Sequence, residues 1–223
     1  MPWLFTVALL AVFGKLSLWQ WQRAEQKAAL LSEVASRPVL SLEEALAKTN
    51  PDYWPVTMKG RWLPTAIFWD NRTLDGQVGY DLLQPFATSR GVFLIDRGWL
   101  AGVARRDLLP SAPLAHGEAA ITGRLRQVDP GFSLKATAPE KLGGGYRVQS
   151  PAPEALTESL GLPLQKWVLS QEPSGSGFIA HWPLVVMPPE KHRAYSLQWA
   201  SMALALMVAF GCWLRAEHRR KHE

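Results

Sequence analysis

The stretch Lys191-His192-Arg193-Ala194-Tyr195-Ser196-Leu197-Gln198-Trp199, running on through Ala200 to Leu214, decides how this chain is organised. From Tyr195 to Leu214 no residue is charged over 20 positions. At about 1.5 Å per helical residue that length matches a hydrocarbon core of roughly 30 Å, so the stretch predicts a membrane-spanning helix. On such a helix His192, Tyr195 and Trp199 are spaced i, i+3, i+7 and fall within about 60° of one another, on one face at the helix mouth. Two readings compete. Tyr and Trp anchor membrane interfaces and a Lys-His-Arg flank is ordinary interface chemistry; alternatively, a metal-capable imidazole sits above two aromatic rings.

The other end of the chain carries a second apolar run. Pro2 to Leu18 is interrupted only by Thr6, Lys15 and Ser17. A secretion signal calls for a basic start and a small-x-small cleavage site after its apolar region. No Lys or Arg precedes this run, and Ala11-Val12-Phe13 is followed by bulky residues, so an uncleaved anchor is the reading favoured here. It predicts a transmembrane helix over 1–22, continuing as helix to about 36 on good helix formers. Lys15, Trp19, Gln22 and Gln26 repeat at i, i+4, i+7, i+11 as a polar stripe. Lys15 then either faces a partner helix or cavity, or snorkels to the nearby surface.

Arg215, Arg219, Arg220 and Lys221 cluster in the tail over 215–223, which places much of the formal +5 charge there. Basic residues close to a span favour the cytoplasmic side, so both termini are expected in the cytoplasm and the segment between the spans outside it. This implies a multi-pass inner-membrane protein, in a bacterium or in the equivalent organelle. The charge distribution shows no Arg-rich helix and no RNA-binding signature, and no nucleic-acid partner is expected. Cys212 is the only cysteine. It reads as a small apolar packing residue near the inner end of the second span, over 192–214.

Between the spans, 37–191 reads as a β-rich extracytoplasmic domain. Ser41-Leu42-Glu43-Glu44 fits a capping box for a short helix to about Lys48. Strands are predicted at Val56–Trp62, Ala66–Asp70, Asp81–Ala87, Val92–Trp99, Ala119–Gln127, Tyr146–Gln149, Lys166–Gln171 and Leu184–Met187. Asp75-Gly76 is a hairpin signal, and Gly161 ends a helix over Pro153–Leu160. Short strands joined mostly by loops imply antiparallel pairing, giving an α+β fold flanked by two transmembrane helices.

Common catalytic signatures are absent: no His-Glu-x-x-His, Cys-x-x-Cys or Gly-x-Ser-x-Gly, and Gly143-Gly144-Gly145 lacks the remainder of a phosphate-binding loop. Asp96-Arg97-Gly98-Trp99 ends a strand and reads as a structural ion pair. Asn71-Arg72-Thr73 fits a glycosylation sequon, which matters only in a glycosylating compartment. His116 and His181 read as surface or packing histidines.

Six stretches in register carry a resemblance. They are Trp19-Gln20-x-x-Arg23-x-x-x-Lys27; Pro55-Val56 with Gly60 and Trp62; Gly79-Tyr80 with Gln84-Pro85; Asp96-Arg97-Gly98-Trp99; Gly123-Arg124-Leu125-Arg126; and His192-x-x-Tyr195-x-x-Gln198-Trp199. Together they resemble the surfeit-locus family of cytochrome c oxidase biogenesis factors over nearly the whole chain. Ser17 and Ala200 stand where that family usually has Gly and Phe.

The resemblance implies a non-enzymatic assembly factor for haem-copper oxidases. It would bind haem a through His192 and assist its insertion into the oxidase catalytic subunit, carrying haem rather than using it. Tyr195 and Trp199 would line an intramembrane crevice with the first span. Arg23, Lys27, Lys191 or Arg193 would meet the propionates at the water boundary. Haem a synthase is a further partner under this reading, beside the oxidase subunit and membrane lipid. The alternative is a membrane scaffold that binds no haem and stabilises an immature oxidase subunit.

Overall fold

The computed structural model describes residues 2–128, 138–173, 178–180 and 183–221. They form two compact units: Arg37–Trp182, which is β-rich, and a helical unit of Met1–Ser36 with Pro183–Glu223. His181, read above as a surface or packing histidine, lies outside the described residues.

The elements in order are α1 (Pro2–Ser36), β1 (Leu40–Ser41), α2 (Leu42–Leu46), β2 (Pro55–Trp62), β3 (Ile67–Leu74), β4 (Gln77–Thr88), β5 (Gly91–Ala101), β6 (Glu118–Gln127), β7 (Glu140–Leu142), β8 (Gly145–Val148), α3 (Pro153–Leu160), β9 (Leu164–Gln171) and α4 (Pro189–Arg220). Two apolar helices thus flank a β-rich unit with two short helices, the α+β arrangement that the sequence predicts.

In the β unit, β2, β6, β9, β5 and β4 form a ring that closes where Arg61 and Trp62 pair with Ala87 and Phe86. Beyond β4 the sheet continues through β3, β8 and β7, while β1 adds in parallel beside β2. Closure demands a close backbone approach: a β-carbon at Gly60 would collide with the Ala87 carbonyl oxygen and the Phe86 ring. Alternation along the strands fills the interior. Met58, Trp62, Phe86, Phe93, Ile95, Leu125 and Leu169 meet there, with Leu42 and Ala45 of α2 packed onto the same cluster. The opposite face of β5 and β9 gives Leu94 and Val168 to a second cluster, which Leu156 of α3 covers.

Local chemistry sets the ends of these elements. Ser41 caps α2 in a reciprocal capping box with Glu44, and Gly161 closes α3 in the left-handed conformation at φ 63°. Asp75 and Gly76 both have positive φ, at 49° and 79°, as a tight hairpin turn requires. The strand before that turn runs further than the sequence predicts, to Leu74 rather than Asp70. Asn71, at φ 60°, is accommodated as a bulge between Trp69 and Arg72, after which pairing with β4 resumes. Leu184–Met187, predicted as a strand, is not one. The two shortest strands, β1 and β7, carry no sequence signal of their own.

Candidate functional site in the helix pair

The helical unit is an antiparallel pair with a regular seam. On α1 the buried and half-buried positions Phe13, Ser17, Gln20, Ala24, Lys27, Leu31 and Val34 alternate spacings of four and three. On α4 Pro189, His192, Ser196, Trp199, Ala203, Leu206 and Phe210 do the same. A 4-3 spacing is the signature of left-handed coiled packing. Both helices are long and apolar enough to cross a membrane. Their outward faces bear Phe5, Leu18, Leu197, Leu204, Met207 and Val208, all exposed.

The middle of the seam is polar. Ser17 Oγ donates to the Ser196 carbonyl oxygen at 3.0 Å, and Ser196 Oγ donates to the Ser17 carbonyl at 2.8 Å. Small residues at such a crossing allow the backbones to approach closely enough for these bonds. One turn on, His192 Nδ1 lies 2.7 Å from Gln20 Oε1. On the other side Trp199 packs on Phe13, with ring centroids 5.7 Å apart. His192 is 7% exposed, and its Nε2 is buried with no hydrogen-bond partner among the described residues. One imidazole nitrogen is thus held by Gln20 while the other is buried and free to act as donor or acceptor.

The remaining residues singled out from the sequence are distributed around this point. Trp199 shares the seam with His192. Tyr195 does not; it is 45% exposed beside the seam, because packing selects the i+4 neighbour Ser196 rather than the i+3 neighbour. Lys27 Nζ donates to the Met187 carbonyl oxygen at 3.0 Å. Arg23 is exposed, donating to Gln26 Oε1 at 3.2 Å with its guanidinium 5.9 Å from the Trp19 ring centre. Arg193 pairs with Glu25 at 3.2 Å on the surface. Lys15, Trp19, Gln22 and Gln26 are all exposed, so the polar stripe faces away from α4. The seam residues Ser17, Gln20 and Ser196 were not anticipated as contacts, although the small-polar 4-3 pattern that aligns them is present in the sequence.

The β unit holds a second polar cluster. Gln84, fully buried, donates to the carbonyls of Leu63 and Ala115 at 3.0 and 2.8 Å. Its Oε1 accepts from Ala115 N and from Arg97 Nη1, each at 3.0 Å. Arg97 also donates to the Pro113 carbonyl at 2.7 Å and lies against Trp62 and Phe178. The ion pair predicted between Asp96 and Arg97 is therefore not formed: adjacent side chains on a strand point to opposite faces. Asp96 is buried beside Asp81, which binds Arg72 at 2.6 Å. Burial, and then the Asp81 charge, push the Asp96 carboxyl up to about 8. Gln84 and Arg97 bond backbone groups and each other, so this cluster stitches strands and loops together. Among the described residues no three His, Cys, Asp or Glu side chains gather as a metal site.

No curated protein matches the chain. Residues 7–204 match the family model described as the SURF1 family, a span that takes in α1 from Val7 onward, the whole β unit and the seam of α4 through Ala203. The chain belongs to the SURF1 family, and with it to the proteins associated with cytochrome c oxidase assembly.

Proposed function

We propose that the protein is a membrane-embedded carrier that holds haem a at His192 and hands it to the catalytic subunit of a haem-copper oxidase. The observation that supports this most directly is the His192 imidazole, with Nδ1 held by Gln20 and Nε2 enclosed and unpartnered among the described residues. When bound, haem supplies an iron that takes a neutral imidazole nitrogen as an axial ligand. The chain supplies that nitrogen, the aromatic surface of Phe13 and Trp199 below it, and cations near the helix mouth. Arg23 and Lys27, both on α1, suit the propionates, Arg23 through two hydrogen bonds to one carboxylate.

Because Nε2 is enclosed in the seam, loading requires α1 and α4 to part locally at this level. A carrier benefits from such a requirement, since a ligand nitrogen that closes again on its neighbours favours release. In this reading both termini lie in the cytoplasm, the β unit lies outside it, and the membrane is a bacterial inner membrane or its organellar equivalent. The protein transforms no substrate.

The same enclosure is what favours the scaffold reading, in which His192 serves helix packing alone. Titration of haem a into detergent-solubilised protein from cells that make none separates the two. The carrier reading expects a saturable Soret shift in the wild type, absent in His192→Ala with helical content unchanged. Binding by neither protein leaves the scaffold, and equal binding by both would place haem away from His192 and contradict the carrier reading as stated.

A further inference from the structure

We infer that Gln20 is a positioning residue that fixes the tautomer of His192, keeping the proton on Nδ1 so that Nε2 presents its lone pair. Only the identity of the incoming iron rests on the haem-carrier reading; the tautomer assignment stands on the geometry of the helix pair. Gln20 Oε1 is an acceptor only, and at 2.7 Å from Nδ1 it requires a proton on that nitrogen. A neutral imidazole has one N–H, so Nε2 is then bare. The other tautomer would need the Gln20 amide turned end for end, its NH2 donating to Nδ1. It would also bury an N–H on Nε2, where the described residues offer no acceptor.

The neighbouring groups on both helices leave this pairing alone. Lys27 Nζ is engaged with the Met187 carbonyl, Arg23 with Gln26, and Ser17 and Ser196 with each other. Among the described residues, Gln20 is the one side chain hydrogen-bonded to the imidazole. A ligating histidine whose far nitrogen donates to a fixed acceptor has its ring plane set and its basicity raised, and losing that acceptor typically weakens metal affinity about 10–100-fold. The Trp19-Gln20 pair thus has a division of labour: Trp19 is exposed at the surface, and Gln20 turns into the seam.

The test is nitrogen NMR of the haem-free protein in detergent with its five histidines 15N-labelled, His192 assigned by difference from His192→Ala. The wild type is expected in the Nδ1–H form. Gln20→Leu should lose that form in favour of Nε2–H, whereas Gln20→Glu, still an acceptor, should keep it. With haem a added, Gln20→Leu should bind about 10–100-fold more weakly, and Gln20→Glu should lower the haem reduction potential. A wild type in the Nε2–H form, or a Gln20→Leu tautomer like the wild type's, overturns the inference. If the tautomer responds as described and no haem binds to any form, the carrier reading fails and the assignment of Gln20 stands.

Discussion

In the β unit the large apolar side chains, Phe86, Phe93, Ile95 and Leu169 among them, are closed off inside, and most charges lie outside. In the helix pair many large apolar side chains, such as Phe5, Leu18, Leu197 and Met207, point outward, and the seam holds Ser17, Gln20, His192 and Ser196 beside Phe13 and Trp199. The difference teaches what each unit uses for cohesion. The β unit removes apolar area from water, worth about 25 cal/mol per Å². Helices in lipid gain little that way and cohere through close contact of small residues and hydrogen bonds between them. Polarity enclosed in the β unit serves architecture at Gln84, whereas polarity in the helix seam is sparse and includes His192 Nε2, buried without a hydrogen-bond partner among the described residues.

That contrast breaks most visibly if the seam is prevented from opening. Ser17 and Ser196 have their hydroxyl oxygens 3.1 Å apart, close enough for paired cysteines. In a Cys212→Ser background, oxidised Ser17→Cys/Ser196→Cys protein should take up almost no haem a, and reduction should restore uptake, both read from the Soret band. A locked pair that loads normally would show that Nε2 is reached without parting the helices.

The next largest effect belongs to the β unit. Phe86→Ala removes a fully buried ring stacked edge-on against Trp62 at 4.8 Å. It should cost about 3–5 kcal/mol in denaturant unfolding of that unit while haem titration of the remaining folded protein stays unchanged. A haem defect of similar size would mean that the two units are not energetically separate.

Asp96 gives the β unit a pH dependence. Its carboxyl, ordinarily near 3.8, stays protonated in the folded protein up to about 8. Desolvation and Asp81 raise it, and Arg72 and Arg126 oppose them. The sign follows from linkage: an acid held protonated on folding favours the folded state fully below its unfolded value and progressively less as pH rises toward 8. Asp96→Asn should match the wild type in acid and be increasingly more stable than it as pH approaches 8. A variant whose unfolding midpoint tracks the wild type across that range would contradict the protonated assignment.

The smallest change is in the seam. Ser196→Ala removes one hydroxyl from a part-buried reciprocal pair and should weaken helix association by about 0.5–1.5 kcal/mol in a detergent unfolding assay.

These residues also mark how far the sequence alone reaches. Strands with clean alternation and helices with caps, such as β2 and α3, are legible because their determinants are local. β3 was cut short because Asn71 resembles a turn residue, and only cross-strand pairing reveals it as a bulge. Leu184–Met187 has strand composition but pairs with no strand among the described residues. At the candidate site, His192 was legible from its place at the mouth of an uncharged run, and Trp199 from its spacing. Gln20 was not, since helical periodicity names the residues that share a face and leaves open which face meets the partner. Tyr195 was read into the crevice on the same arithmetic; the close helix crossing takes Ser196 there instead, and the bulkier amphipathic ring remains outside.

Under the proposed function, haem a is held in the helix seam and not by the β unit. This is tested most directly by the visible spectra of protein purified in detergent from cells that make haem a, with His192→Ala and His116→Ala beside the wild type. His116 is an exposed histidine of the β unit. The account predicts haem a bands in the wild type and in His116→Ala, and their loss in a folded His192→Ala protein. Bands that persist in His192→Ala, or that vanish with His116→Ala, would contradict it.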